Sequence, residues 1–199
     1  MAFQNFTFPQ IVQDLGLVFA DADLFSHVAP ASVRSEFLAQ VIEGADLASA
    51  INTEKARSEF VIAPVLFELR RQHKGRFGLF SGIDLTADVA RGLNGVCDFI
   101  IARSPFQHVL SAPLITIIEA KNDNLRSGLG QCIAAMVAAQ LLNHAASVQV
   151  PSVYGAVTTG SAWKFLRLQD EKLTLDLHEY RLEGLDKILG ILWNIVEVG

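Results

Sequence analysis

Apolar positions recur at helical spacing through the first third of the chain, then change to the alternation of strands. Pro9 to Leu17 reads as a short helix. Residues 31–43 place Val33, Phe37, Val41 and Ile42 on one helical face. Asn52 or Thr53 can cap a further helix running to about Gln72, with Phe60, Val61, Pro64, Leu66, Phe67 and Leu69 as its apolar body. Pro64 has no backbone N–H to donate, so it should kink or split that helix. Strands are predicted at Phe77–Leu85, Val96–Ala102 and Leu114–Lys121, separated by Arg91-Gly92-Leu93-Asn94-Gly95 and by a loop containing Ser104-Pro105. A helix capped by Asp123 or Asn124 follows from Leu125 to Ala145. Its small residues Ala134, Ala135, Ala138 and Ala139 suit close packing on a sheet. Strands return at Ser152–Thr159, Trp163–Leu168 and Leu173–Glu179, the last two joined by a turn at Gln169-Asp170-Glu171-Lys172. Arg181–Val198 closes the chain as an amphipathic helix with Leu185, Ile188, Leu189 and Leu192 on one side.

This order predicts an α/β (α+β) fold, a mixed central sheet with helices on both faces. No repeat or linker divides the 199 residues, so one domain is expected. Its N-terminal helices, to about residue 51, are an extension; residues 52–180 form the core and 181–198 the last helix. With 51% hydrophobic and 19% charged residues the chain is not intrinsically disordered. The apolar excess leaves surface for self-association, so a homodimer is a candidate state. Sixteen Lys and Arg against 21 Asp and Glu give a net charge of −5, which disfavours non-specific coating of nucleic acid or anionic membrane.

The first basic residue is Arg34, so no charged leader is expected. Apolar runs such as Ile133–Ala139 are broken by residues such as Gln140, so neither a membrane span nor a membrane partner is expected. Cys97 and Cys132 form no Cys-x-x-Cys pair, which suits the reducing cytoplasm of a bacterial-type cell.

Several chemistries are absent from the sequence: the phosphate loop, the Gly-x-Ser-x-Gly elbow and His-Glu-x-x-His. The five histidines are scattered. Gly128-x-Gly130 opens a helix after a strand, as a dinucleotide site would, but the third glycine position is Ile133. A nucleotide-binding α/β protein is therefore the weakest reading, and these glycines are expected to loosen a helix start.

One constellation remains. In Leu114–Lys121 the side chains of Glu119 and Lys121 should point the same way, their Cα atoms about 6.5–7 Å apart, with Ile115 and Ile117 behind them. The preceding strand carries Asp98 within an otherwise apolar run. A carboxylate there is costly unless paired, hydrogen-bonded or metal-bound. If the two strands pair antiparallel, Asp98 and Glu119 converge beside Lys121 and could hold a hard cation such as Mg²⁺. The similar Asp170-Glu171-Lys172 has no acidic strand before it and reads as a solvated turn. The basic stretch Arg70, Arg71, His73, Lys74 and Arg76 reads as cations at a helix C-terminus.

The order helix–strand–strand–strand–helix–strand, carrying Asp98 and then Glu119-x-Lys121, resembles the PD-(D/E)XK nuclease superfamily from about Thr53 to Tyr180. Within it, Arg57-Ser58-Glu59-Phe60-Val61-Ile62-Ala63-Pro64, Gly95-x-Cys97-Asp98-Phe99, Glu119-Ala120-Lys121 and Gly130-Gln131-Cys132 are similar to a group of small bacterial members known from cyanobacteria. The resemblance implies a restriction-endonuclease-like core and a nuclease that hydrolyses nucleic acid, DNA in the first instance, with Mg²⁺ or Mn²⁺. It implies Asp98, Glu119, the Ala120 carbonyl and Glu59 around the metal, Lys121 as catalytic lysine and Gln131 near the site. Two positions depart from the pattern. Cys97 stands where the motif has proline, and Ala135 stands where one branch has tyrosine. The alternative function is an inert interaction or regulatory module of the same fold.

Overall fold

A computed structural model describes residues 2–104 and 106–198; Pro105, expected in a loop, lies outside the described residues. The helices are α1 (Gln10–Asp14), α2 (Ser35–Ile51), α3 (Glu54–Arg57), α4 (Ala63–Gln72), α5 (Leu125–Ala145) and α6 (Leu185–Val198). The strands are β1 (Val18–Ala22), β2 (Gly78–Asp88), β3 (Leu93–Ala102), β4 (Leu114–Ala120), β5 (Val153–Thr158), β6 (Ala162–Gln169) and β7 (Lys172–Arg181). They form one mixed sheet in the order β1-β7-β6-β5-β4-β3-β2. Among the described residues, only β4–β5 and β1–β7 pair in parallel.

Strand β4 is buried along its whole length, as a central strand covered on both faces must be. One apolar layer gathers Val41, Leu66, Leu69, Phe165 and Ile188 with α2, α4 and α6. The other gathers Phe3, Ile11, Ile117, Ile133 and Met136 around α5 and the N-terminus. The expected α/β class, with helices on both sheet faces, is what the chain adopts.

Three local expectations are corrected. β1 lies where no strand was predicted. It is a short, mostly exposed edge strand paired only with β7, so little burial writes an alternating pattern into it. α2 spans 35–51 rather than 31–43. Residues before Ser35 instead cover α6, where Ala31 N–H donates to the Asp186 carbonyl at 2.8 Å. α6 is accordingly buried on more than one side, with five consecutive buried residues from Ile188 to Leu192. A Cβ at Gly190 would overlap the Ala29 carbonyl, so only glycine allows this approach. Leu93, Asn94 and Gly95 belong to β3 rather than to a turn.

Pro64 acts as expected on its helix. Thr53 caps α3 by accepting from Ala56 N–H at 3.1 Å, and a π-helical turn at Ser58–Ile62 joins α3 to α4. Proline cannot donate to the carbonyl four residues earlier, that of Phe60. That carbonyl instead lies against Gly44 of α2, where a Cβ would overlap it.

By length and composition α5 is apolar enough to cross a membrane, which its interrupted apolar runs did not suggest. Most of it is buried against β4 and β5. Its glycines do not loosen its start. Gly128 packs on Val157 and the Lys121 stem, while a Cβ on Gly130 would overlap the backbone of Phe6 and Thr7. Gly130→Ala is expected to cost roughly 1–3 kcal/mol, because backbone must move to admit the methyl group. Gly184, with nothing within 4 Å of a built Cβ, is the control whose alanine variant should keep its Tm.

Candidate functional site

The site forms where the β3–β4 ladder ends. Backbone pairing stops at Phe99↔Ile118, one step before Asp98 would face Glu119. The Ala120 N–H donates at 2.8 Å to Oδ2 of Asp98 instead. Facing alternation in β3 breaks at the same place: Cys97 and Ile100 join the α5 layer, whereas Phe99 and Ile101 join the other. On the far side of β3, Gly82 of β2 takes a left-handed backbone with φ +65°, beside the exposed Ser81. The strands therefore open around Asp98. A polar cleft of about 310 Å³ results, lined by Glu54, Ser58, Glu59, Ser81, Asp98 and Ala120.

Glu119 and Lys121 fall side by side, as β periodicity requires, and Lys121 Nζ donates to Glu119 Oε1 at 2.7 Å. Ile117 lies on their side of the sheet. Ile115 does not: it is the extra residue in the irregular pairing near Ala102, and it packs in the opposite layer. Glu119 is 1% exposed, and its second oxygen, Oε2, is buried with no donor among the described residues. Burial first, then the charge of Asp98, pushes Glu119 up to about 8, against the downward pull of Lys121. Asp98 is the charge that, after burial, raises Glu119 most, which sets the two carboxyls near each other. Two carboxyls this close cannot both stay ionised at low cost unless a cation joins them.

Burial tends to discharge Lys121, but Glu119, Glu54 and Asp98 outweigh it and raise its pKa, so the ammonium stays charged. Gln131 of α5 accepts from it at 3.5 Å. Asp98, Glu119, Ala120, Lys121 and Gln131 are thus brought together. Glu59 is not joined to them: its carboxylate pairs with Lys55 at 2.8 Å, half exposed on the rim of the cleft. Among the described residues, no group of three or more His, Cys, Asp or Glu side chains is arranged to hold a metal ion. The protein donors available to a cation are the two carboxylates and main-chain oxygen, a set that suits a hard ion retaining its waters.

Two residues at the site carried no role in the sequence reading. Glu54 Oε2 lies 3.6 Å from Lys121 Nζ. In the first turn of a helix an acid already has a dull explanation in the helix dipole, so no sequence signal singles it out. Arg57, buried, donates from Nε to Asn122 at 3.0 Å and from its guanidinium to the Thr159 carbonyl at 3.3 Å. It fastens the turn after β4 to the helix that carries Glu54. An arginine beside apolar Phe60 and Val61 was the available hint.

The other polar expectations resolve simply. Arg71 makes a double hydrogen bond of 2.6 Å to buried Glu68, and Arg70 donates to the Phe77 carbonyl. Asp170 and Glu171 are exposed turn residues. Trp163 is fully buried and Trp193 is stacked on His73. Both cysteines are free and buried, and burial raises their thiol pKa values. Compared with models of protein families, with curated proteins and with solved structures, the chain matches none.

Proposed function

We propose that the protein is a nuclease that hydrolyses phosphodiester bonds of nucleic acid with Mg²⁺ or Mn²⁺, on a restriction-endonuclease-like core in the cytoplasm. The observation that carries this reading is Glu119: buried, beside a second carboxylate, with one oxygen that no donor among the described residues reaches. Such a group is expensive to maintain, and a divalent cation shared with Asp98 removes the cost. The residues fit the ion that the resemblance implies, with Asp98, Glu119 and the Ala120 main chain as its holders. A bound cation would lower the pKa of a water and offset charge on a phosphoryl oxygen.

The chain's own groups supply the rest. Lys121, kept protonated by three acids, donates to a substrate oxygen that gains negative charge. Glu119, Glu54 and Gln131 fix where that ammonium points, so little reorganisation is needed when substrate enters. Arg57 holds the turn bearing Lys121 against α3. Ser58 and Ser81 on the cleft wall can donate to a backbone phosphate. The net charge of −5 argues for local phosphate contacts rather than broad capture of nucleic acid.

Purified protein is expected to cut at least one of single-stranded, double-stranded or branched DNA, or RNA, when Mg²⁺ or Mn²⁺ is present. Chelation should stop the reaction. Absence of cleavage on every substrate with either ion contradicts the proposal. One observation favours the second reading, an inert module: Glu59 is held by Lys55, which leaves only two carboxylates at the centre. Such a module need not bind either ion, and its Asp98→Asn variant would behave like the wild type.

A further inference from the structure

From the groove between α2 and α4 we infer that the protein is a two-fold homodimer joined through these helices. Gln40, Gly44 and Leu47 recur along one face of α2. Phe60, Pro64 and Phe67 recur along the facing helix. Two adjoining hollows of about 370 and 620 Å³ lie between them and share Phe37, Gln40, Glu59 and Pro64. Leu47, Ile51, Phe60 and Phe67 remain 39–62% exposed, in contrast to the fully buried Val65, Leu66 and Leu69 on the core side of the same helix. An exposed apolar strip with polar margins marks a surface that is covered in the working protein.

The charges identify what covers it. One hollow is lined by Glu43 and by Glu59, which is already paired with Lys55. The other is lined by Arg34, Arg71, Glu68 and the shared Glu59; Glu68 is engaged by Arg71 and lies 4.0 Å from Arg34. Glu43 thus marks one end of the groove, Arg34 and Arg71, in excess over Glu68, mark the other, and apolar side chains lie between them. A second copy related by a two-fold axis through the middle sets each basic end on the partner's acidic end and Phe67 into the partner's apolar floor. An isologous interface demands this self-complementarity, and it produces a four-helix contact from two helices per chain. Glu59 borders both the groove and the polar cleft, so the interface would fix one wall of the site in each copy.

The test reads mass and is independent of any nuclease activity. In sedimentation velocity or light scattering at micromolar concentration, the wild type is expected at twice the 21.7 kDa chain mass. Phe67→Glu should raise the dimer dissociation constant by at least about thirtyfold, the scale of a central anchor residue. Arg34→Glu and Glu43→Arg should each weaken the dimer, and the double variant should recover it, because the reversed charges again face each other. A monomeric wild type overturns the inference. So does a dimer whose mass is unaffected by Phe67→Glu and by both single charge reversals. Circular dichroism checks each fold, and if Phe67→Glu does not fold, the charge-swap series decides.

Discussion

Lys121→Met is expected to reduce nucleic-acid cleavage by about 100- to 1000-fold, the scale of losing one preorganised donor to developing charge. The fold should survive. Without the ammonium, Glu119 loses the partner that pulls its pKa down and simply stays protonated in its buried position. Asp98→Asn should lower activity at least as much. Its amide oxygen can still accept from the Ala120 N–H, so the strand end stays in place while the negative charge is lost. Matched Tm values alongside activities separate these effects from unfolding. Activity that persists within threefold of the wild type in both variants contradicts the assigned site.

The second large effect is on stability, and its sign follows from Glu119. Its ordinary pKa of 4.5 is pushed up to about 8 in the fold, first by burial and second by Asp98. Below pH 4.5 the folded and unfolded chains both hold this proton, so the group contributes nothing to the difference. Between pH 4.5 and 8 the unfolded chain releases the proton and the folded chain keeps it, so stability falls as pH rises. The loss by pH 8 is on the order of 4 kcal/mol in the absence of divalent cations. Glu119→Gln removes the ionisation and still offers an oxygen to Lys121. It should therefore raise the Tm of the metal-free protein at pH 8 and flatten this part of the pH profile. Mn²⁺ should raise the Tm of the wild type at pH 8 and leave Glu119→Gln unmoved. A Tm difference between Glu119→Gln and the wild type that does not widen from pH 5 to pH 8 in metal-free buffer contradicts this assignment.

How far the site could be read from sequence differs residue by residue. Glu119, Lys121 and Asp98 stand out because charge inside a buried apolar strand is costly, and that cost leaves a local pattern. Their convergence required only that neighbouring strands pair antiparallel, which they do. The bulge that moves Ile115 to the other layer leaves no such trace, since isoleucine suits either face. Glu54 and Arg57 reach residues more than 60 positions away, and nothing local distinguishes them from ordinary helix-start charges. The Pro64 break was legible, but the partner of the freed Phe60 carbonyl, Gly44, belongs to tertiary packing. β1 escaped for the opposite reason, because an exposed edge strand buries too little to enforce alternation.

The proposed nuclease requires Asp98 and Glu119 to hold a divalent cation together. Anomalous difference density from a crystal grown or soaked with Mn²⁺ tests it most directly. A peak is expected between these two carboxylates, in contact with both and absent from the same experiment on Asp98→Asn. A crystal equilibrated with millimolar Mn²⁺ at pH 8 that shows no peak there, or shows peaks only at exposed acids such as Glu59, contradicts it.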